Sequence, residues 1–201
     1  MDRRVLHTRD VLGDALVELM HQKPFDSITV QQVLDRAHVG RSTFYAHYRG
    51  KNDLFLSDVE GFFEGMSTLL SRRGEHSRRV APVREFFAHV ADWRQFYSAM
   101  VASEKIRDVW ELGQGHFARA IDQRLAALTL ASSMPPARRS ALAHALAGAL
   151  FSLLTWWINH DTPTSAEHMD DLFHHTVWSG ISTPLRPVPP PAVSSAARRR
   201  I

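Results

Sequence analysis

Cysteine is absent from the 201 residues, which removes disulfides, thiolate zinc sites and cysteine nucleophiles at a stroke. The N-terminal run MDRRVLHTRDVL has no apolar core of the kind a secretion signal needs, so the chain reads as cytoplasmic. There is no nucleophile elbow, Walker loop or His-Glu metal motif, so neither an enzyme nor a cofactor is expected. Alternating strand patterns and internal repeats are also missing, and the fold class expected is all-α. A surplus of charge is lacking too, despite a pI near 9.7. Residues 1–60 carry 8 Lys/Arg against 9 Asp/Glu, and residues 61–185 carry 12 against 12. The excess sits in the tail, on Arg186, Arg198, Arg199 and Arg200. Bulk charge therefore does not argue for nucleic acid; a local pattern has to.

Such a pattern lies in residues 29–53, TVQQVLDRAHVGRSTFYAHYRGKND. Thr29 and Gln32 have the spacing of a capping box, and Ile28 and Val33 flank them as a hydrophobic staple, so a helix opens at Thr29. Val30, Val33, Leu34 and Ala37 form its inward face. His38-Val39-Gly40 then breaks the periodicity, and a second short helix follows over 41–48. That helix sets Arg41, Ser42, Thr43, Tyr45 and His47 around an anchor of Phe44 and Tyr48. It is too short and too polar to stand alone, so it should be propped on the first helix with its polar face outward. Over residues 29–52, Arg36, Arg41, Arg49 and Lys51 stand against Asp35 alone, with His38 and His47 nearby.

The run AHVGRSTFYAHYRGKNDLF resembles the helix-turn-helix signature of TetR/AcrR-family transcriptional regulators, T-[FL]-Y-x-H-[FY]-x-x-K-x-x-L, through Thr43, Phe44, Tyr45, His47, Tyr48, Lys51 and Leu54. It departs from the family at His38, where Gly is usual in the turn, and at Gly40, where Ser or Thr usually caps the second helix. Both substitutes are tolerated: His enters the left-handed region more readily than most residues, and Gly is an acceptable N-cap.

The resemblance implies an N-terminal DNA-binding domain over 1–53, a helical regulatory and dimerisation domain over 54–182, and a sequence-specific regulator, a repressor released from a double-stranded DNA operator by a small-molecule effector. In that reading Arg41, Ser42, Thr43 and Tyr45 enter the major groove. Arg41 has the reach for guanine and Thr43 for a thymine methyl or a phosphate. Thr29, Tyr45, His47, Tyr48 and Lys51 are the expected phosphate clamps.

Elsewhere, apolar pairs at Val11/Leu12, Ala15/Leu16 and Leu19/Met20 mark a helix over 8–22, ended by Pro24. A long helix is expected from Lys51 to about Arg72, then helices over 82–91, 93–101, 104–111, 114–131, 137–160 and 165–180, with Gly113 separating two of them. The Pro-rich tail, 183–201, reads as disordered. The segment 141–158 has no charged residue, but His144, Ser152 and Thr155 dilute its hydrophobicity and no Lys/Arg bias brackets it. It reads as a helix buried on nearly all sides, not as a membrane span; in the suspected family it joins the following helix in a homodimer.

Aromatic residues crowd the middle of the chain and most should be core. In the family reading, Phe63, Phe87, Phe96, Tyr97, Met100, Trp110, Gln114 and Phe117 are candidates for the effector pocket, with His116 as a further polar group. His168, Asp171 and His175 share one helix face and could hold a cation, though a solvated surface opposite a packing face of Met169, Leu172, Phe173, Thr176 and Val177 is the simpler reading. Two alternatives stay open: a metal-responsive helical regulator, and a helical protein that acts on a protein partner without binding DNA.

Overall fold

The computed structural model describes residues 3–72, 78–102, 106–128, 134–160 and 164–182. Among these residues there are nine α-helices, one 3-10 turn and no strand. The expected disordered tail lies outside them.

Helix α1 (Arg3–Gln22) buries Leu12, Ala15, Leu16, Leu19 and Met20 on one stripe. It stops before Pro24, and a 3-10 turn (Phe25–Ser27) leads into α2 (Val30–Ala37) and α3 (Arg41–His47). These pack with the start of α4 (Lys51–Arg72) around a small core that includes Ile28, Val33, Leu34, Phe44, Tyr48 and Leu54. Full burial of each large side chain stabilises this unit by roughly 1.5–3 kcal/mol.

A second, larger core is built by the distal part of α4 with α5 (Val83–Asp92), α6 (Arg94–Ala102), α7 (Ile106–Ala127), α8 (Pro136–Asn159) and α9 (Ala166–Ser182). Phe63, Phe86, Phe117 and Phe151 interlock at its centre, with ring centroids 5.3–6.0 Å apart. Among the described partly buried apolar side chains, Phe55 and Phe96 pack against both cores.

Three sequence expectations need correction. Gly113 does not end a helix, because α7 runs through it. A Cβ there would stand 2.4 Å from Cζ of Phe151 and 2.5 Å from Cζ of Phe63, so the glycine marks a close approach of helices. Second, Leu172 and Thr176 are exposed, and α9 packs through Met169, Phe173, His174 and Val177. Third, α8 is not buried on nearly all sides. Ala143, Ala147, Leu150, Phe151, Leu154, Trp157 and Ile158 face inward, while Ala145, Ala149, Ser152 and Trp156 are exposed. Helix α8 is the one described helix long and apolar enough to cross a membrane by length and composition, and its large aliphatic residues Leu150 and Leu154 pack into this core.

A polar network clamps α9 to the start of α5. Arg79 donates to Asp170 Oδ1 and Glu85 Oε2, each at 2.7 Å. The buried His174 ring donates from Nδ1 to the Asp170 carbonyl (2.9 Å) and accepts the Val80 N–H at Nε2 (3.1 Å).

Candidate nucleic-acid interface

Local chemistry builds α2 as its sequence implies. The Gln32 N–H donates to Thr29 Oγ1 (3.3 Å) while the Thr29 N–H donates to Gln32 Oε1 (3.0 Å), closing the capping box. Ile28 and Val33 are both buried beside it, as a staple requires. At the far end His38 takes the left-handed conformation, φ 54° and ψ 37°. Its N–H and that of Val39 both turn back to the Leu34 carbonyl. Gly40 then caps α3 in an extended conformation without a side-chain bond.

Helix α3 is pinned by Phe44, fully buried, and by Tyr48, whose ring lies 5.7 Å from it. This leaves Arg41, Ser42, Thr43 and Tyr45 exposed on one end of the helix. The Arg41 guanidinium leans back on Gln31 of α2, donating to Oε1 at 3.0 Å. Arg49 is exposed as well, and its N–H bonds Asp53 Oδ2 at 2.9 Å, fixing the turn into α4. Arg36 belongs elsewhere, 2.7 Å from Glu18 of α1.

Two of the expected clamp residues look inward instead. The Lys51 ammonium donates to the carbonyls of Phe25 (2.8 Å), Asp26 (3.1 Å) and Ile28 (2.7 Å). Its three hydrogens are thereby all engaged, and it sits 4.7 Å above the Phe25 ring. Desolvation lowers its pKa from the ordinary lysine value. A phosphate could reach it only by displacing a carbonyl. The Tyr48 hydroxyl is buried and accepts from Arg9 Nε at 3.2 Å; the same guanidinium donates to Ser57 Oγ at 2.5 Å. Arg9 thus ties α1 to α3 and α4, a role that no motif in the sequence announced. Thr29 is exposed with its oxygen in the capping box, and His47 is half-buried at the rim.

Residues 12–57 match the family model for bacterial regulatory proteins of the tetR family. That segment, which holds α2 and α3, is similar to the DNA-binding domain of that family. The HTH-type transcriptional regulator YxbF of Bacillus subtilis (strain 168) is 22% identical over 179 residues. That similarity covers 84% of this chain and 43% of the relative, so the chain spans less than half the length of that protein. Among solved structures, the TetR transcriptional regulator from Streptococcus agalactiae 2603V superposes with a TM-score of 0.58 at 21% identity, covering 88% of this chain and 96% of that one. The dihydroxyacetone kinase operon activator DhaS superposes with a TM-score of 0.60 at 15% identity, covering 87% and 96%. Those two likenesses concern the fold.

The eight candidate effector residues are spread over several surroundings. Phe63, Phe87 and Phe117 are fully buried in ring-to-ring packing, and Gln114 is exposed on α7. Trp110 donates its indole N–H to Thr155 Oγ1 (3.0 Å), and the Tyr97 hydroxyl meets His89 Nε2 at 3.1 Å. Burial pushes the Tyr97 pKa upward, so the phenol stays protonated. Phe96 and Met100 line a cavity of about 680 Å³ between the two cores. A second groove of about 810 Å³ runs along the other side of α4, from Arg9 and Tyr48 to Glu111 and Arg119. The first turns of α4 are therefore flanked by space on two sides. His116 Nε2 is buried without a hydrogen-bond partner, 3.8 Å from Glu60 Oε1.

His168, Asp171 and His175 are all exposed. Among the described residues, no three such side chains are placed to hold a metal ion.

Proposed function

We propose that the chain works as a cytoplasmic homodimer that represses transcription from a specific operator and is released by a small-molecule effector. The observation that carries this reading is the exposed polar end of α3, with Arg41, Ser42, Thr43 and Tyr45 held outward by the buried Phe44. A helix so presented fits the major groove, where base edges can be told apart. Two copies related by a two-fold axis match a palindromic site. The exposed faces of α8 and α9, with Trp156 and Leu172, are the surface proposed for that pairing. Thr29, Tyr45 and His47 are proposed to hold phosphates, whereas Lys51 and Tyr48 are assigned to positioning the helices. Arg49, exposed beside α3, joins the phosphate group in this proposal.

A dimer seated across a promoter blocks polymerase, which makes repression the reading preferred, although one protein of similar fold is named an operon activator. Effector binding is proposed to tilt α4 and change the spacing of the two α3 helices. A coupling of ~1–3 kcal/mol is enough for such a switch. The test is a gel shift on the DNA upstream of the chain's own gene, paired with a reporter driven by that DNA. Retarded bands that survive excess random DNA, and a reporter that rises when the gene is deleted, support the proposal. No specific retardation overturns DNA reading, and a reporter that falls on deletion reverses the sign.

A further inference from the structure

The cavity between the two cores has a wall chemistry of its own. Four half-buried rings line it: Phe25 from the 3-10 turn, Phe55 from α4, and Trp93 and Phe96 at the start of α6. Phe25 and Phe55 stand 5.1 Å apart, and Trp93 and Phe96 6.1 Å apart. The ring of His21, at the end of α1, lies 3.7 Å from that of Trp93 and closes one side. Around these rings carboxylates outnumber cations: Asp26, Asp92 and Asp108 are exposed at the lining, against Lys23 and the Lys51 ammonium over the Phe25 ring.

Aromatic faces and carboxylates together favour one kind of guest. Ring quadrupoles attract cations, and the attraction grows where water is excluded. Acidic groups lining a cleft raise the local concentration of cations and repel anions. The molecule already uses this chemistry at this wall, with the Lys51 ammonium seated over the Phe25 ring. A volume of about 680 Å³ falls in the range of small-molecule sites.

We infer that this junction is a binding site for a lipophilic organic cation bearing aromatic groups. The inference deepens the reading of the chain as an effector-responsive regulator and rests on it. An occupant here touches the segment that leads into α2, the first turns of α4, and α6 together. Since Lys51 of α4 bonds the carbonyls of Phe25 and Asp26, the guest presses on the joint that sets the lean of the DNA-binding unit. No intervening relay is needed.

The test uses a matched pair of ions, tetraphenylphosphonium and tetraphenylborate, which share shape and size and differ in the sign of charge. Calorimetric titration of the full chain should show one phosphonium ion per chain, bound at least tenfold more tightly than the borate. The Asp92→Asn/Asp108→Asn double variant should weaken the phosphonium by roughly tenfold and tighten the borate, so that the gap between the two ions closes. Both carboxylates are exposed, and a melting curve matching wild type will show that the variant folds. Trp93→Leu should weaken both ions, because it removes a wall common to both. Equal affinities for the two ions, no phosphonium binding at millimolar concentration, or binding indifferent to Trp93→Leu would each overturn the site. Anisotropy of labelled upstream DNA, run in parallel, reads the DNA proposal separately: retained specific DNA binding with no cation binding removes this site alone.

Discussion

The Lys51 ammonium lies 2.7 Å from the carbonyl oxygen of Ile28, the residue just before the cap of α2. With the carbonyls of Phe25 and Asp26 it completes a cage that staples the start of α4 to the entry of the helix-turn-helix. Replacing Lys51 with Ala removes three donors from partly buried carbonyls, and the cost expected is ~1–3 kcal/mol. For a chain of this size that lowers Tm by about 2–4 °C per kcal/mol. A phosphate clamp gives a different signature: little change in Tm, and a salt slope of DNA binding reduced by roughly 0.9. Melting curves and a salt titration on the same variant decide, and a lowered slope with an unchanged Tm returns Lys51 to the DNA.

Arg41 and Tyr45 should separate by sequence dependence. Arg41→Ala is expected to cost ~1–3 kcal/mol on the operator and little on random DNA, relaxing one base position. Tyr45→Phe removes only a hydroxyl and should cost ~0.5–1.5 kcal/mol regardless of sequence. The 3.0 Å bond from Arg41 to Gln31 adds a control. Gln31→Ala frees the guanidinium without touching its charge, so non-specific affinity should hold. Equal losses on specific and random DNA for Arg41→Ala would make it a phosphate contact and shift base reading to Ser42 or Thr43.

The helix-turn-helix was legible in the sequence because each of its joints is made by side chains of fixed type and spacing. Thr29 with Gln32 makes the cap, Ile28 with Val33 the staple, and His38 sits where the chain must turn left-handed. What escaped were contacts made by backbone or by distant helices. The acceptors around Lys51 are carbonyls, which no side-chain pattern reveals. Gly113 looked like a breaker because a close approach to Phe63 and Phe151 leaves the same single letter. Aromatic residues marked out for an effector divide between packing, as with Phe87, and a cavity, as with Phe96, according to which helix faces them.

Gly113 and Gly61 should respond oppositely to alanine. At Gly113 the new methyl would meet two rings that are themselves fully buried, and overpacking of this kind costs ~1–3 kcal/mol. The gain in helix propensity, about 1 kcal/mol, does not offset it at the upper end. Gly61 on α4 has nothing within 4 Å of the added Cβ, so Gly61→Ala keeps the whole gain. Thermal melts of the two variants should move in opposite directions; a Gly113→Ala protein as stable as Gly61→Ala would mean the rings can shift aside.

Dimerisation through α8 and α9 has to be tested on the outward face. Leu150 and Leu154 are fully buried within a single chain, so a charge at either would unfold it and report nothing about pairing. Ala149 is exposed on the opposite side. Ala149→Glu should leave circular dichroism unchanged and shift the sedimenting species from dimer to monomer, because two-fold pairing would bury two unpaired carboxylates at several kcal/mol. A wild-type chain that sediments as a monomer at micromolar concentration, or an Ala149→Glu dimer as tight as wild type, argues against this surface.

Stability should fall with acid partly through His174. Burial holds its pKa below the ordinary 6.5, against the opposing pull of the Asp170 carbonyl and carboxylate and of Asp171, with Arg79 adding to the depression. The neutral ring is the one the site accepts, since Nε2 takes the Val80 N–H and would face it with a second hydrogen if protonated. The unfolded chain then binds the proton more readily than the folded one. The stabilisation is accordingly complete above pH 6.5 and is lost as pH drops from there through the lower folded pKa. His174→Gln cannot titrate. Its loss of Tm relative to wild type should be larger at pH 8 than at pH 5.5, because wild type surrenders its advantage in acid. His89, whose pKa burial also lowers, remains in both proteins and cancels from the difference. A gap between the two melting temperatures that stays constant across this range would show that the His174 ring accepts its second proton without losing the Val80 bond.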